Sequence, residues 1–132
     1  MPVAIDTSVL IAAEKHGNLD NLLPETEPGP YYIPALAAAE FLVGTQPPVK
    51  ADLRQRARRL YQSRFQALVS SFSEADAAQL AALISELKAK GQTMKFFDAA
   101  VAATALARGD KLLALDADFD RLKDRIELLG PV

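Results

Sequence analysis

The chain has 132 residues, half of them hydrophobic, so we expect one domain over residues 1–132 and no second domain. It contains no cysteine, which excludes disulfides and thiolate metal sites, and its net charge of −2 argues against a protein that coats nucleic acid electrostatically. No run approaches the roughly 20 apolar residues of a membrane-spanning helix. Since no charged leader with an apolar core precedes Asp6, we expect a cytoplasmic protein with no membrane partner.

Strand and helix patterns alternate along the chain. In chain order they predict a strand at 3–5, a helix from 7 to about 14, a short helical turn at 19–23, a proline-rich loop at 24–30, a strand at 31–33, helices at 34–44 and 49–62, a strand at 67–69, helices at 73–91 and 94–108, and strands at 112–115 and 126–129. This alternation predicts a single α/β domain in which a mainly parallel central sheet is flanked by helices on both faces.

Local signals indicate where the helices begin and end. Thr7 or Ser8 can cap the first helix, and these two side chains can also support Asp6 through hydrogen bonds. Gly44 is the residue type favoured just past the end of a helix. Ser73 and Asp76 resemble a capping box with aspartate in the glutamate position. The helix at 94–108 is apolar nearly all round, which is typical of a helix buried on several sides.

Four acidic residues lie in apolar surroundings: Asp6, Glu40, Asp98 and Asp116. Burying an ionised carboxylate without a partner costs several kcal/mol, and these segments contain almost no bases. Asp6 and Asp116 follow strands, where functional groups of a parallel sheet collect, and the helices carrying the other two can lean over the same edge. Repulsion among four converging carboxylates would raise at least one pKa, whereas a bound cation keeps all four ionised.

Oxygen ligands favour a hard cation, so the pattern predicts a Mg²⁺ or Mn²⁺ site. We expect Asp6, Asp98 and Asp116 to hold the cation, Asp6 and Asp98 as direct ligands. Asp116 and Glu40 would act mostly through waters, because magnesium keeps several waters in its coordination shell. Asp118 and Asp120 can assist them.

Four motifs together resemble the PIN-domain ribonucleases, and within them the VapC-type toxins of bacterial toxin–antitoxin pairs. They are IDTSVLI at 5–11, IPALAAAE at 33–40, DAAVAATALA at 98–107 and DADF at 116–119, which span nearly the whole chain. The resemblance implies a metal-dependent ribonuclease with Asp6, Glu40, Asp98 and Asp116 in an acidic pocket. It also implies an RNA substrate, a homodimer, and a small cognate antitoxin protein that binds and silences the enzyme.

One position departs from the family pattern. Ala114 stands where the family often has threonine or serine, so the hydroxyl that would help to hold a water at the metal is missing. Asp116 or Asp118 would then take that task. Either can be the fourth acid, and we favour Asp116.

The expected chemistry is hydrolysis assisted by a divalent cation, which polarises a phosphodiester oxygen and lowers the pKa of a water. His16 is the only histidine, so a two-histidine route through the ribose 2′-hydroxyl is excluded. Attack by water would leave a 5′-phosphate and a 3′-hydroxyl. Glu40 is our candidate to orient or deprotonate that water.

Arginines cluster on the helix predicted at 49–62 and just after it. Arg54, Arg58 and Arg59, together with Arg56 and Arg64, can track an RNA backbone. A helix as charged as this one is more often simply a solvated surface. Both interpretations stay open from the sequence.

Two other classes of function fit parts of the sequence. Asp6 could be the nucleophile of a haloacid-dehalogenase-like phosphohydrolase, although Ser8 occupies the position of that family's second acid. Alternatively, the acids are only structural and the protein is a non-catalytic dimerisation or interaction module. No glycine-rich phosphate loop is present, so nucleotide hydrolysis is not expected.

Overall fold

In the computed structural model, which describes residues 1–130, five short strands form one sheet. They are β1 (Val3–Ile5), β2 (Tyr31–Pro34), β3 (Val69–Ser70), β4 (Lys111–Leu113) and β5 (Leu128–Leu129). The order is β3-β2-β1-β4-β5, and every neighbouring pair is parallel. The predicted parallel sheet is therefore confirmed. The last two residues of the predicted 1–132 domain lie outside the described part of the chain.

The strand order reverses direction at β1. The chain first builds outward from β1 through β2 to β3, and then crosses to the other side of β1 to add β4 and β5. Right-handed crossovers that run in opposite directions place helices on opposite faces of a sheet. The predicted fold class, an α/β domain with helices flanking the sheet, is thus confirmed. The reversal also opens a crevice beyond the carboxyl ends of β1 and β4.

The described residues also form five α-helices. They are α1 (Thr7–His16), α2 (Ala35–Leu42), α3 (Ala51–Leu60), α4 (Glu74–Ala89) and α5 (Phe96–Arg108), and a 3₁₀ turn spans Ala117–Leu122. In α5, every residue from 98 to 105 is buried, which confirms the prediction of a helix enclosed on several sides. In the described part of the chain, no helix combines the length and the hydropathy needed to cross a membrane.

Some predicted helix ends are wrong. Asp6, rather than Thr7 or Ser8, caps α1: its backbone is extended and its side chain accepts a hydrogen bond from the backbone N–H of Ser8. The second helix does not end at Gly44, because α2 stops at Leu42 and a 3₁₀ turn follows over Val43–Thr45. The predicted capping box of α4 is confirmed, with hydrogen bonds in both directions.

Some predicted strand ends are also wrong. Residues 66–68 form a 3₁₀ turn, so β3 begins at Val69. The fourth strand ends at Leu113, since pairing with β1 and β5 stops there, and Leu115 is 48% exposed. Asp116 therefore stands three residues beyond the strand.

A partly buried ion pair joins α5 to α4 and β3. Arg108, the last residue of α5, donates to Asp76 at 3.0 Å and to the Ser70 hydroxyl at 2.8 Å. The centre of its guanidinium group lies 5.0 Å from the centroid of the Tyr32 ring. Only 1% of the Asp76 side chain is exposed, so Arg108 compensates a carboxylate that water scarcely reaches.

Replacing Arg108 with methionine should destabilise the protein by about 2 to 3 kcal/mol, because the Asp76 carboxylate loses its cationic partner inside the protein. Urea unfolding followed by circular dichroism measures the change. The double variant Arg108→Met with Asp76→Asn should recover part of that loss, since asparagine can still accept the capping bond from Ser73 and no charge is left unpaired. Equal stability of wild type and Arg108→Met would contradict this account of the pair.

Candidate active site

Acidic side chains from several elements meet beyond the carboxyl ends of β1 and β4. Asp6 directly follows β1, Asp98 lies in the first turn of α5, and Asp116 and Asp118 begin the 3₁₀ turn after β4. One carboxylate oxygen each of Asp98, Asp116 and Asp118 lies within 4.8 Å of the other two. This spacing allows the three carboxylates to share one cation.

The pKa shifts place Asp6 and Glu40 in the same neighbourhood. Burial raises the pKa of Asp98 to about 6, and the negative charges of Asp6, Asp116 and Glu40 act in the same direction, whereas Lys95 opposes them. Burial also raises the pKa of Asp6, and the charge of Glu40 adds to that effect. The structure therefore brings the carboxylates of Asp98 and Asp116 together with that of Asp118, and Asp6 and Glu40 act on Asp98 electrostatically.

Two oxygens of this cluster are buried without a hydrogen-bond partner among the described residues: Oδ1 of Asp6 and Oδ2 of Asp98. A buried acceptor left unsatisfied costs about 1 to 3 kcal/mol, and more when it is charged. A divalent cation would give both oxygens a partner and would offset the repulsion between the carboxylates. Because every available donor is a carboxylate oxygen, the residues fit Mg²⁺ or Mn²⁺.

Ser8 connects Asp6 to the chain segment in front of Asp116. Oδ2 of Asp6 accepts hydrogen bonds from the backbone N–H of Ser8 at 3.1 Å and from its hydroxyl at 2.6 Å. The same hydroxyl accepts a hydrogen bond from the backbone N–H of Leu115 at 3.0 Å. Ser8 thus supports Asp6, one of the two roles that the sequence left open.

Thr7 links the start of α1 to the helix that carries Glu40. Its hydroxyl lies 3.4 Å from the carbonyl oxygen of Ala37 and donates to it. Ala37 is buried in α2, one turn before Glu40. The Thr7 hydroxyl is therefore a contact between two elements of the site.

Asp116 and Asp118 differ in their surroundings. Oδ1 of Asp116 accepts a hydrogen bond from the backbone N–H of Asp118 at 2.9 Å, so Asp116 caps the 3₁₀ turn. Asp116 is half-buried and Asp118 is exposed. Both belong to the cluster, whereas Asp120 is exposed and, among the described residues, is not part of it. Phe119, between Asp118 and Asp120, is buried in the core with 1% exposure.

The arginine cluster lies on another part of the surface. Its helix, α3, packs on α1 and on the turn after α2. Arg58 donates to the carbonyl of Thr45 at 3.1 Å, and Arg56 lies 3.8 Å from Glu14. Arg54 and Arg59 remain at the surface of α3. The structure therefore does not bring the arginines into the acidic cluster.

Lys95 belongs to the site but was missed from the sequence. Its positive charge lowers the pKa of Asp98 and so acts against the burial of that carboxylate. The available signal is the spacing of three residues at the start of a helix, which places Lys95 and Asp98 on neighbouring positions of one face.

The model of the PIN domain family matches residues 3–125 of the chain. The chain belongs to the PIN domain family. This confirms the resemblance read from the four motifs, and it makes the chain a member of a family of nucleases. A comparison with curated proteins gives no match to this sequence. The haloacid-dehalogenase-like alternative loses its basis, because the family that matches is the PIN domain.

Solved structures with a similar fold come from toxin–antitoxin complexes. The PIN domain aligns with DNA-bound VapBC from Salmonella typhimurium at a TM-score of 0.79 and 17% identity, over 98% of each chain. VapBC-5 from Mycobacterium tuberculosis gives a TM-score of 0.76 and 22% identity, again over 98% of each chain. A toxin–antitoxin complex from Klebsiella pneumoniae gives 0.59 and 27%, over 89% of each chain. The first two similarities establish a shared fold.

Replacing Asp98 with asparagine should stabilise the metal-free PIN domain near neutral pH. Because the pKa of Asp98 is raised from 3.8 to about 6, ionising this group costs folding free energy above that pH. We expect a gain of roughly 1 kcal/mol at about pH 7.5, shrinking as the pH falls and vanishing below about 4, where Asp98 is protonated in both states. Urea unfolding in the presence of a chelator measures it.

The matched control for this prediction is Asp120→Asn, which removes an exposed acid from the neighbouring turn. Its stability should stay within about 0.5 kcal/mol of wild type at every pH. If Asp98→Asn were less stable than wild type at neutral pH without metal, burial and the neighbouring charges would not be destabilising the ionised Asp98.

Proposed function

We propose that this PIN domain is a metal-dependent endoribonuclease, which hydrolyses RNA phosphodiester bonds and acts as the toxin of a toxin–antitoxin pair. The observation that carries the proposal is the meeting of Asp98, Asp116 and Asp118, with carboxylate oxygens within 4.8 Å, beside the buried acid Asp6. Membership in a family of nucleases supports the reaction class.

The cofactor in this proposal is Mg²⁺ or Mn²⁺, held by Asp6, Asp98 and Asp116, with Asp118 available as a further ligand. When bound, such a cation stabilises negative charge developing on the phosphate and lowers the pKa of a water. Asp6 and Asp98 each offer a buried oxygen that has no other described partner. Ser8 occupies the second oxygen of Asp6 and so fixes which one faces the cation.

The remaining roles fall to residues around these ligands. Glu40 is half-exposed, and its charge acts on both Asp6 and Asp98, so it can reach water that enters the cluster. We assign it to orient that water or to accept its proton. The water oxygen bonds to phosphorus while the bond to the 3′-oxygen breaks, which leaves a 5′-phosphate and a 3′-hydroxyl. His16 is exposed in the last turn of α1 and has no part in the reaction.

The partner in this proposal is a small cognate antitoxin protein that silences the nuclease. Its support is the set of neighbours of similar fold, which are VapBC assemblies, one of them described as a member of a family of toxin–antitoxin systems. A homodimer in solution belongs to the same proposal. The surface arginines Arg54, Arg58 and Arg59 are candidates for contact with the RNA backbone outside the acidic cluster.

The test is RNA cleavage by the purified protein with Mn²⁺ or Mg²⁺, with the product ends mapped. Glu40→Gln should lower the rate by about 10²- to 10⁴-fold and leave thermal stabilisation by Mn²⁺ in place, because it removes a proton acceptor and not a ligand. Asp98→Asn should lose both cleavage and stabilisation by the metal. Asp120→Asn is the matched control and should keep both.

Three results would overturn this proposal in different ways. Products that end in 2′,3′-cyclic phosphate would show that water does not attack the phosphorus. If the wild type neither cleaves RNA nor is stabilised by Mn²⁺, the non-catalytic interaction module becomes the better description. Turnover of small phosphate esters would instead revive the phosphohydrolase alternative with Asp6 as nucleophile.

A further inference from the structure

The position of Asp98 depends on the loop that precedes its helix. Residues 92–95 adopt neither helix nor strand, and the backbone N–H of Gln92 still bonds to Leu87 at the end of α4, at 2.8 Å. Helix α5 begins at Phe96, and Asp98 is its third residue. Contacts that fix this loop therefore also fix the position of Asp98 in the site.

Arg121 holds the loop to the turn that carries two other acids. Its Nη1 donates to the backbone carbonyl of Thr93 at 2.6 Å, and its Nε donates to the backbone carbonyl of Asp118 at 3.2 Å. One guanidinium group thus bridges the segment leading to Asp98 and the turn beginning at Asp116. In the part of the chain that the structure describes, it makes the one hydrogen bond between residues 92–98 and 114–122.

The hydrogen bonds of Arg121 join two segments whose carboxylates repel each other. Asp98 on one side faces Asp116 and Asp118 on the other, and the three carboxylates repel one another. A rigid planar guanidinium that donates to two backbone carbonyls resists this repulsion through geometry as well as charge. The contacts of Arg121 are with backbone atoms, so its side chain leaves the carboxylate oxygens available for a cation.

We propose that Arg121 is a positioning residue, which sets the spacing between the metal-binding carboxylates by bridging the carbonyls of Thr93 and Asp118. This inference rests on the proposed metal site. A positioning role predicts that metal affinity falls when Arg121 is removed, whereas its charge alone predicts that metal affinity rises. The positive charge of Arg121 by itself opposes a nearby cation, so its removal would tighten metal binding if charge were its only influence.

The experiment compares Mn²⁺ binding, measured by electron paramagnetic resonance, in wild type, Arg121→Ala, Arg121→Lys and Lys123→Ala. Arg121→Ala should weaken binding about 10-fold, the lower end of the range seen when groups supporting metal ligands are removed. Arg121→Lys keeps the charge but cannot reach both carbonyls at once, so it should also bind weakly. Lys123→Ala removes an exposed charge from the same stretch, and its binding should match wild type or be slightly tighter.

Two further readouts separate positioning from general damage to the fold. RNA cleavage by Arg121→Ala should recover at saturating Mn²⁺, since the ligands themselves remain. In the metal-free protein, amide hydrogen exchange should rise over residues 92–98 with little change in thermal stability, because the bonds of Arg121 lie at the surface.

The outcomes distinguish this inference from the proposed function. Mn²⁺ binding by Arg121→Ala that equals or exceeds that of wild type, with unchanged exchange over residues 92–98, would overturn the positioning role alone. Failure of the wild type itself to bind Mn²⁺ would overturn the metal site, and the inference that rests on it.

Discussion

Burial of carboxylates at the end of β1 and the start of α5, with their mutual repulsion added to it, is the constraint on which the site depends. Asp6 and Asp98 are 2% and 6% exposed, and each has an oxygen without a described partner. The sheet creates this situation: the reversal of strand order sets β4 beside β1, and the backbone N–H of Asp6 bonds to Leu113 at 2.9 Å. Such an arrangement is favourable when a cation supplies the missing charge.

Asp6 and Asp116 each use one carboxylate oxygen to cap a helix or turn and leave the other oxygen for the site. In Asp6, Oδ2 caps α1 through Ser8, and Oδ1 remains unpartnered among the described residues. Asp116 likewise uses Oδ1 to cap the 3₁₀ turn through the N–H of Asp118. Capping fixes the rotation of each carboxylate before any ligand arrives, so less side-chain freedom is lost when a cation binds. The same residues therefore stabilise the ends of helical segments and provide oxygens for a cation.

Helix α5 is anchored by an ion pair at its carboxyl end and carries a site residue at its amino end. Its middle is a buried, alanine-rich stretch, which lets neighbouring elements approach closely. At its last residue Arg108 is tied to Asp76 and Ser70, and at its first turn Asp98 enters the acidic cluster. Anchoring one end limits sliding of the helix along its axis. The loop before α5 then governs the remaining freedom of Asp98, which is where Arg121 makes its contact.

The sequence by itself determined the α/β class, the capping box of α4 and the identity of the four apolar-framed acids, because hydrophobic periodicity and caps act over a few residues. Tertiary structure alone decided that β4 ends at Leu113, that Asp118 stands within ligand distance of Asp98, and that Arg121 reaches Thr93. Those contacts join residues far apart along the chain. They exist only once the strand order has brought the segments together.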